Sequence, residues 1–226
     1  MGVIENNSPG SFPQEFEVVI PVVPQEDFIT GMYSLVDEAI VGELARLRRE
    51  EGVVPRCKSG CSHCCRYHIL TNIVEAQTLA QYIRREFSED QINSLRARTR
   101  HWHEWDDSRP GRHPFPIIGE GVIHSTNFDH SCPFDVNGTC RVYPVRPIVC
   151  RSHFVSSPPR FCATANDPES TEDAPVVLVS VVEATRPFTM EIRDHIENRG
   201  MEYSRSQMLL PQWLAIEMGW DFAILP

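Results

Sequence analysis

CKSGCSHCCR at residues 57–66 and CPFDVNGTCRVYPVRPIVCR at residues 132–151 carry all but one of the eight cysteines of this 226-residue chain; the exception is Cys162. Cys57, Cys61, Cys64 and Cys65 fall in one short run, and Cys132, Cys140, Cys150 and Cys162 in a second, looser one. The overall cysteine content is well under the roughly 8–10% that marks a secreted disulfide scaffold. Such local density crowds several nucleophilic sulfurs together whatever the backbone does, and in a reducing compartment they stay thiols. Bound metal is therefore the economical reading. The alternative, cysteine as a small apolar filler, suits Cys162 and one of the pair Cys64/Cys65.

The first run has readable geometry. Lys58-Ser59-Gly60 is turn chemistry, so Cys57 and Cys61 are expected on a loop, with Cys64 and Cys65 opening a helical turn. Helical neighbours point about 100° apart, so Cys64 and Cys65 do not comfortably share one ion. One should face a cluster while the other packs or serves a second site, which predicts ligands from both runs. A zinc ribbon presents two C-x2-C knuckles, whereas here only Cys61 and Cys64 form such a pair. Scattered ligands and the Cys132-Pro133 pair suit iron–sulfur ligation, with a [4Fe–4S] cluster favoured and zinc as the alternative. The expected ligands are Cys57, Cys61, Cys64, Cys65, Cys132, Cys140 and Cys150, with His63 and His153 available to a mixed set. Arg56, Arg66, Arg141 and Arg151 each flank a cysteine, and Arg146 sits between Cys140 and Cys150. Guanidinium groups there offset thiolate charge or bind an anionic substrate, and Arg146 and Arg151 are expected to contact the cofactor from outside the ligand set.

Working outward, residues 1–15 read as a flexible leader and 16–226 as a single domain with its motif region at 57–162. Phe16 to Pro24, β-branched and broken by Pro21, reads as an edge strand or extended arm. Met32, Leu35, Val36, Ala39, Ile40, Leu44 and Leu47 follow helical spacing over residues 31–50. Asn72 with Glu75 resembles a capping box opening a second helix that ends near Phe87, and Ser88 with Gln91 repeats the signal for a third, closed by Pro110 and Gly111. Residues 108–175 are proline-rich and loop-dominated, so something other than a regular core must organise them. Val176 to Val182 reads as a strand, Phe188 to Arg199 as a helix closed by Gly200, and Pro211 to Met218 as a short helix followed by Gly219. His101 and Trp105 share a helical face, expected to be packing. The fold class is α+β, mostly helical, an irregular metal-centred domain with a short sheet element.

A formal net charge of −10 opposes wholesale association with nucleic acid or an anionic membrane surface. No window reaches the ~20 apolar residues of a membrane-spanning helix, and the N-terminus lacks a basic, then apolar, secretory pattern, so the expected address is the cytoplasm. No phosphate-binding loop, dinucleotide fingerprint, nucleophile elbow or H-E-x-x-H motif is present.

Together the two cysteine runs resemble a cysteine-cluster family known as zinc- or iron-chelating and named for a CxxCxxCC signature. The resemblance rests on Cys61, Cys64 and Cys65 and, more specifically, on Cys132-Pro133-Phe134, Asn137-Gly138, Cys140, Tyr143, Arg146-Pro147 and Cys150-Arg151. It spans about residues 57–151, leaving Cys162 outside, and the first gap, Cys57 to Cys61, is one residue longer than the signature. It implies metal binding by these cysteines. Related segments occur in flagellin lysine methylases, which implies an iron–sulfur role in methyl transfer on a small-molecule or protein substrate.

Overall fold

The structure is a computed structural model that describes residues 26–108, 130–165 and 169–223. The leader, the Phe16 to Pro24 arm and the Pro110-Gly111 stop lie outside the described residues.

Helix α1, Glu26–Arg46, runs on through a wider π-helical turn at Leu47–Glu51 that Gly52 closes in the left-handed region at φ 68°. Its buried stripe is Ile29, Tyr33, Val36, Ile40 and Leu47. The stripe is rotated from the expected one: Leu35 is exposed and Tyr33 is buried in its place. Strand β1, Leu70–Asn72, feeds helix α2, Ile73–Glu86, whose Ile73, Ala76, Leu79, Ala80 and Ile83 are all buried as the spacing predicts. Asn72 caps it, its Oδ1 accepting from Glu75 N–H at 3.0 Å. Helix α3, Glu89–Ser108, opens on a reciprocal box: Ser88 N–H donates to Gln91 Oε1 (2.8 Å) and Gln91 N–H to Ser88 Oγ (3.3 Å).

The proline-rich stretch holds a minimal hairpin, β2 (Asp135–Val136) and β3 (Thr139–Cys140), then two short helices, α4 (Ile148–Ser152) and α5 (Pro159–Ala163). Helix α6, Val179–Glu197, overturns the expected strand at Val176 to Val182: only Val177 keeps a β-bridge, to Val155, and the chain is helical from Val179. The β-branched run loses to periodicity, since Val181, Thr185, Ile192 and Ile196 form a buried helical face directed at α1. The same helix takes in Pro187 and absorbs the segment expected to begin at Phe188. Strand β4, Gln207–Leu209, feeds α7, Leu210–Glu217, with Pro211 in its first turn.

β1 and β4 pair antiparallel, with Leu70 opposite Leu209 and Asn72 opposite Gln207, and the helices they feed, α2 and α7, pack on each other. The α1/α6 pair and α3 complete a mostly helical α+β fold whose core runs from Ile29 and Val36 through Leu79 and Ile83 to Leu214 and Trp213. Against this core lie the hairpin, α4 and α5, which carry Cys140, Cys150 and Cys162, with Cys132 in the loop just before β2.

Candidate metal centre

The first cysteine run is a loop and a single turn. Gly60 takes φ 84° at the tip of the turn that ends when Cys61 N–H donates to Lys58 O (3.0 Å), and His63–Arg66 form one 3-10 turn. Cys57 and Cys61 thus lie on a loop and Cys64 and Cys65 in a helical turn, as the spacing predicts.

Three contacts bind this run to the second. Cys132 N–H donates to Cys65 O at 2.7 Å. Arg56 N–H donates to Val155 O (2.8 Å) while Val155 N–H donates to Cys57 Sγ (3.4 Å). The hairpin turn Asn137-Gly138, both residues at positive φ as a type I′ turn requires, lies so close to the first run that a β-carbon on Gly138 would sit 3.0 Å from Gly60 O. The Asn-Gly dipeptide between Val136 and Thr139 was the available sequence signal for this hairpin.

The thiols sort into two neighbourhoods. Cys57, Cys61, Cys64 and Cys162 line one surface cleft together with His63 and His153. Cys162 arrives there because α5 packs against the His63–Arg66 turn. Cys132 and Cys140 pack instead against the hydrophobic core, beside Phe134 and Val142, and Cys150 follows the buried Ile148 on α4. Cys65 lies next to Cys132, and Cys64 is within electrostatic reach of both neighbourhoods. All eight cysteines are free thiols.

Burial pushes the Cys132 thiol up to about 12 and Cys162 up to about 11, with neighbouring thiols adding to both. It pushes Cys150 well above the ordinary range and raises Cys57 and Cys140. The Cys65 thiol donates to Cys64, which holds Cys64 low and Cys65 high. Against the burial cost, backbone N–H groups of Phe134 and Val142 donate to the sulfurs of Cys132 and Cys140, each from two residues downstream. Donated N–H groups favour the thiolate, the form a metal takes.

Among the described residues, no three His, Cys, Asp or Glu side chains already surround a point at ligating distance. The sulfurs converge without closing. The donor chemistry nevertheless fits a thiophilic metal: four thiols and two imidazoles face one cleft, and His153 Nε2 there has no hydrogen-bond partner.

The two arginines singled out by position lie differently. Arg146, stacked over the Tyr143 ring at 3.8 Å, has its Nε without a partner, and its charge lowers the pKa of Cys64 and Cys140. Arg151 is buried and engaged elsewhere: it bonds Asp37 Oδ2 (2.7 Å), Arg146 O (2.8 Å) and Pro144 O, and lies over the Tyr33 ring. Glu75, which sequence reasoning treated only as a cap residue, ties α4 in place by accepting Ile148 N–H at 2.7 Å. Its spacing from Asn72 signalled the cap and nothing of the contact 73 residues away. His101 and Trp105 lie with His130, whose Nε2 is 3.0 Å from His101 Nε2 and whose ring stacks on Trp105.

Two cysteine runs pinned to each other beside a small helical core describe a cysteine-based metal-chelating domain. The chain belongs to the CxxCxxCC family, described as "Putative zinc- or iron-chelating domain", whose model matches residues 56–172. That match takes in Cys162 and corrects the narrower span of about 57–151 read from the motifs alone. No curated protein and no solved structure matches the chain.

Proposed function

We propose that the protein is an iron–sulfur protein with redox or transferase chemistry on a small-molecule or peptidyl substrate. The carrying observation is the donor set: eight free thiols in two adjoining neighbourhoods, with N–H groups already donated to the sulfurs of Cys57, Cys132 and Cys140. Bound there, a cluster would supply electron transfer or an incompletely ligated iron. The chain's own part is to deliver the ligands and set their field. Arg146 offsets the negative charge of a thiolate-ligated centre and stands ready for an anionic substrate. Support for thiol-preserving, cytoplasmic conditions comes from eight unpaired cysteines, and the charge of −10 argues against nucleic acid and anionic membrane as partners. Among the described residues, no helix is long and apolar enough to cross a membrane.

A second reading, a zinc-stapled interaction module without catalysis, draws on the Cys61-x2-Cys64 pair and the N–H to sulfur turns, which suit tetrahedral zinc equally well. Anaerobic purification followed by an absorbance spectrum and metal and sulfide analysis of the same sample separates the two. Brown protein with a broad ~400 nm shoulder, iron and acid-labile sulfide is expected. Colourless protein with stoichiometric zinc overturns the iron–sulfur reading in favour of the module.

A further inference from the structure

We propose that the eight cysteines hold two separate metal centres: an outer, exchangeable one on Cys57, Cys61, Cys64 and Cys162, and an inner, structural one on Cys65, Cys132, Cys140 and Cys150. The inference rests on the metal-chelating reading above but is indifferent to which metal is bound.

The division begins at adjacent residues. On the 3-10 turn His63–Arg66 the Cys64 and Cys65 sulfurs are in hydrogen-bond contact, so this pair is the seam at which the two sites meet. Cys64 reaches the surface cleft with Cys57, Cys61 and Cys162, and none of the other four cysteines lines that cleft. Cys65 turns to the second run, which its own carbonyl grips through Cys132 N–H. Each neighbourhood then contains four thiols, the number that fills a tetrahedral ion or a cubane cluster. A single centre would leave half of the thiols as spectators.

The surroundings differ in kind. The inner set sits against core residues: Phe134 and Val142 flank Cys132 and Cys140 at about 1% exposure, and Ile148 precedes Cys150. The Glu75 bond to Ile148 N–H and the Arg151–Asp37 ion pair fix α4 from two other helices. The outer set hangs on the exposed turn at 58–60 and on the five-residue helix α5. His153, whose Nε2 has no hydrogen-bond partner, lines the same cleft. Cys162, set aside as filler by its distance from the motifs, is on this account the fourth outer ligand.

The test counts metal in the full chain, purified anaerobically, by elemental analysis and native mass spectrometry, and follows release to a chelator. Wild type should carry two centres and lose them in two phases, the first with helical circular dichroism intact. Cys162→Ser should lack the fast phase and keep about half the metal, while Cys140→Ser should lose the inner half. One centre per chain, or release in a single phase, overturns the partition, and so does Cys162→Ser with full loading. Should Cys140→Ser fail to fold, the wild-type count and its release phases still decide. Metal identity is read separately: two colourless zinc centres support the partition while overturning the iron–sulfur reading, and one brown cluster does the reverse. Protein that binds neither overturns both.

Discussion

Glu75 accepts from Tyr33 Oη (3.3 Å), Thr71 Oγ1 (3.0 Å), Asn72 Nδ2 (2.8 Å) and Ile148 N–H (2.7 Å), and a carboxylate is acceptor-only, so every partner is matched. Burial raises its pKa, against the opposing pull of those donors and of Arg151. The folded state therefore binds the Glu75 proton more tightly than the unfolded chain. This group favours folding most below the ordinary carboxylate pKa, and the contribution is lost as pH rises through the raised value. Glu75→Gln puts an N–H2 against donors and should lower stability by about 1–3 kcal/mol. It should also remove the group's share of the pH slope, which urea unfolding of both proteins across the acid range would show; equal slopes would refute the assignment. Gly138 makes a second point at this scale. Its φ of 77° strains any side chain and a β-carbon would crowd Gly60 O at 3.0 Å, so Gly138→Ala should cost about 1–3 kcal/mol in thermal unfolding and weaken metal loading along with it.

Elements decide their own ends here and borrow their interiors. Asn72 caps α2 through Glu75 N–H, so Asn72→Ala should destabilise the protein by about 1 kcal/mol, read as a fall in the unfolding midpoint. In α6, Pro187 cannot donate to the Glu183 carbonyl one turn back, and the helix continues through it because Val181, Thr185, Ile192 and Ile196 are buried on either side. Relieving it should help: Pro187→Ala is expected to raise stability by about 1–3 kcal/mol. No gain on denaturant unfolding would mean that the local chain direction, set by packing on α1, depends on the proline. The three short elements around the cysteines, the hairpin, α4 and α5, are too brief to be stable alone. Their positions come from contacts to Glu75, Asp37 and the first cysteine run.

For the whole molecule, metal and proton compete for the same sulfurs. Cys132 and Cys162 are pushed to about 12 and about 11, so at neutral pH these thiols are protonated and metal binding must expel the protons. Metal affinity should therefore rise with pH and proton release should accompany loading, both measurable by calorimetry in buffers of different ionisation enthalpy. Binding without proton uptake by the buffer would argue against these thiols as ligands. Since the loop-rich cysteine region has little regular structure, exhaustive chelation should lower the unfolding temperature well beyond the effect of any single cap variant.

The sequence by itself determined the metal-chelating family and most of the helices. Two dense cysteine runs need no tertiary information to point to metal chelation, and local signals, a capping residue before an apolar stripe for α2 and α3 and a first-turn Pro with a closing Gly for α7, made those helices legible. Tertiary structure decided what depends on partners. Val176 to Val182 has strand propensity, but from Val179 onward it became helix because burial against α1 rewards one face of a helix. Cys162 has no motif around it, and only the packing of α5 on the His63–Arg66 turn carries it to Cys57, Cys61 and Cys64. Arg151 is marked in sequence only by its place beside Cys150, and its bonds to Asp37 and two carbonyls are set by the fold. Spacing along a chain reports on the chain's own turns, while a charge or a thiol finds its partner across the fold, at sequence separations that no local pattern encodes.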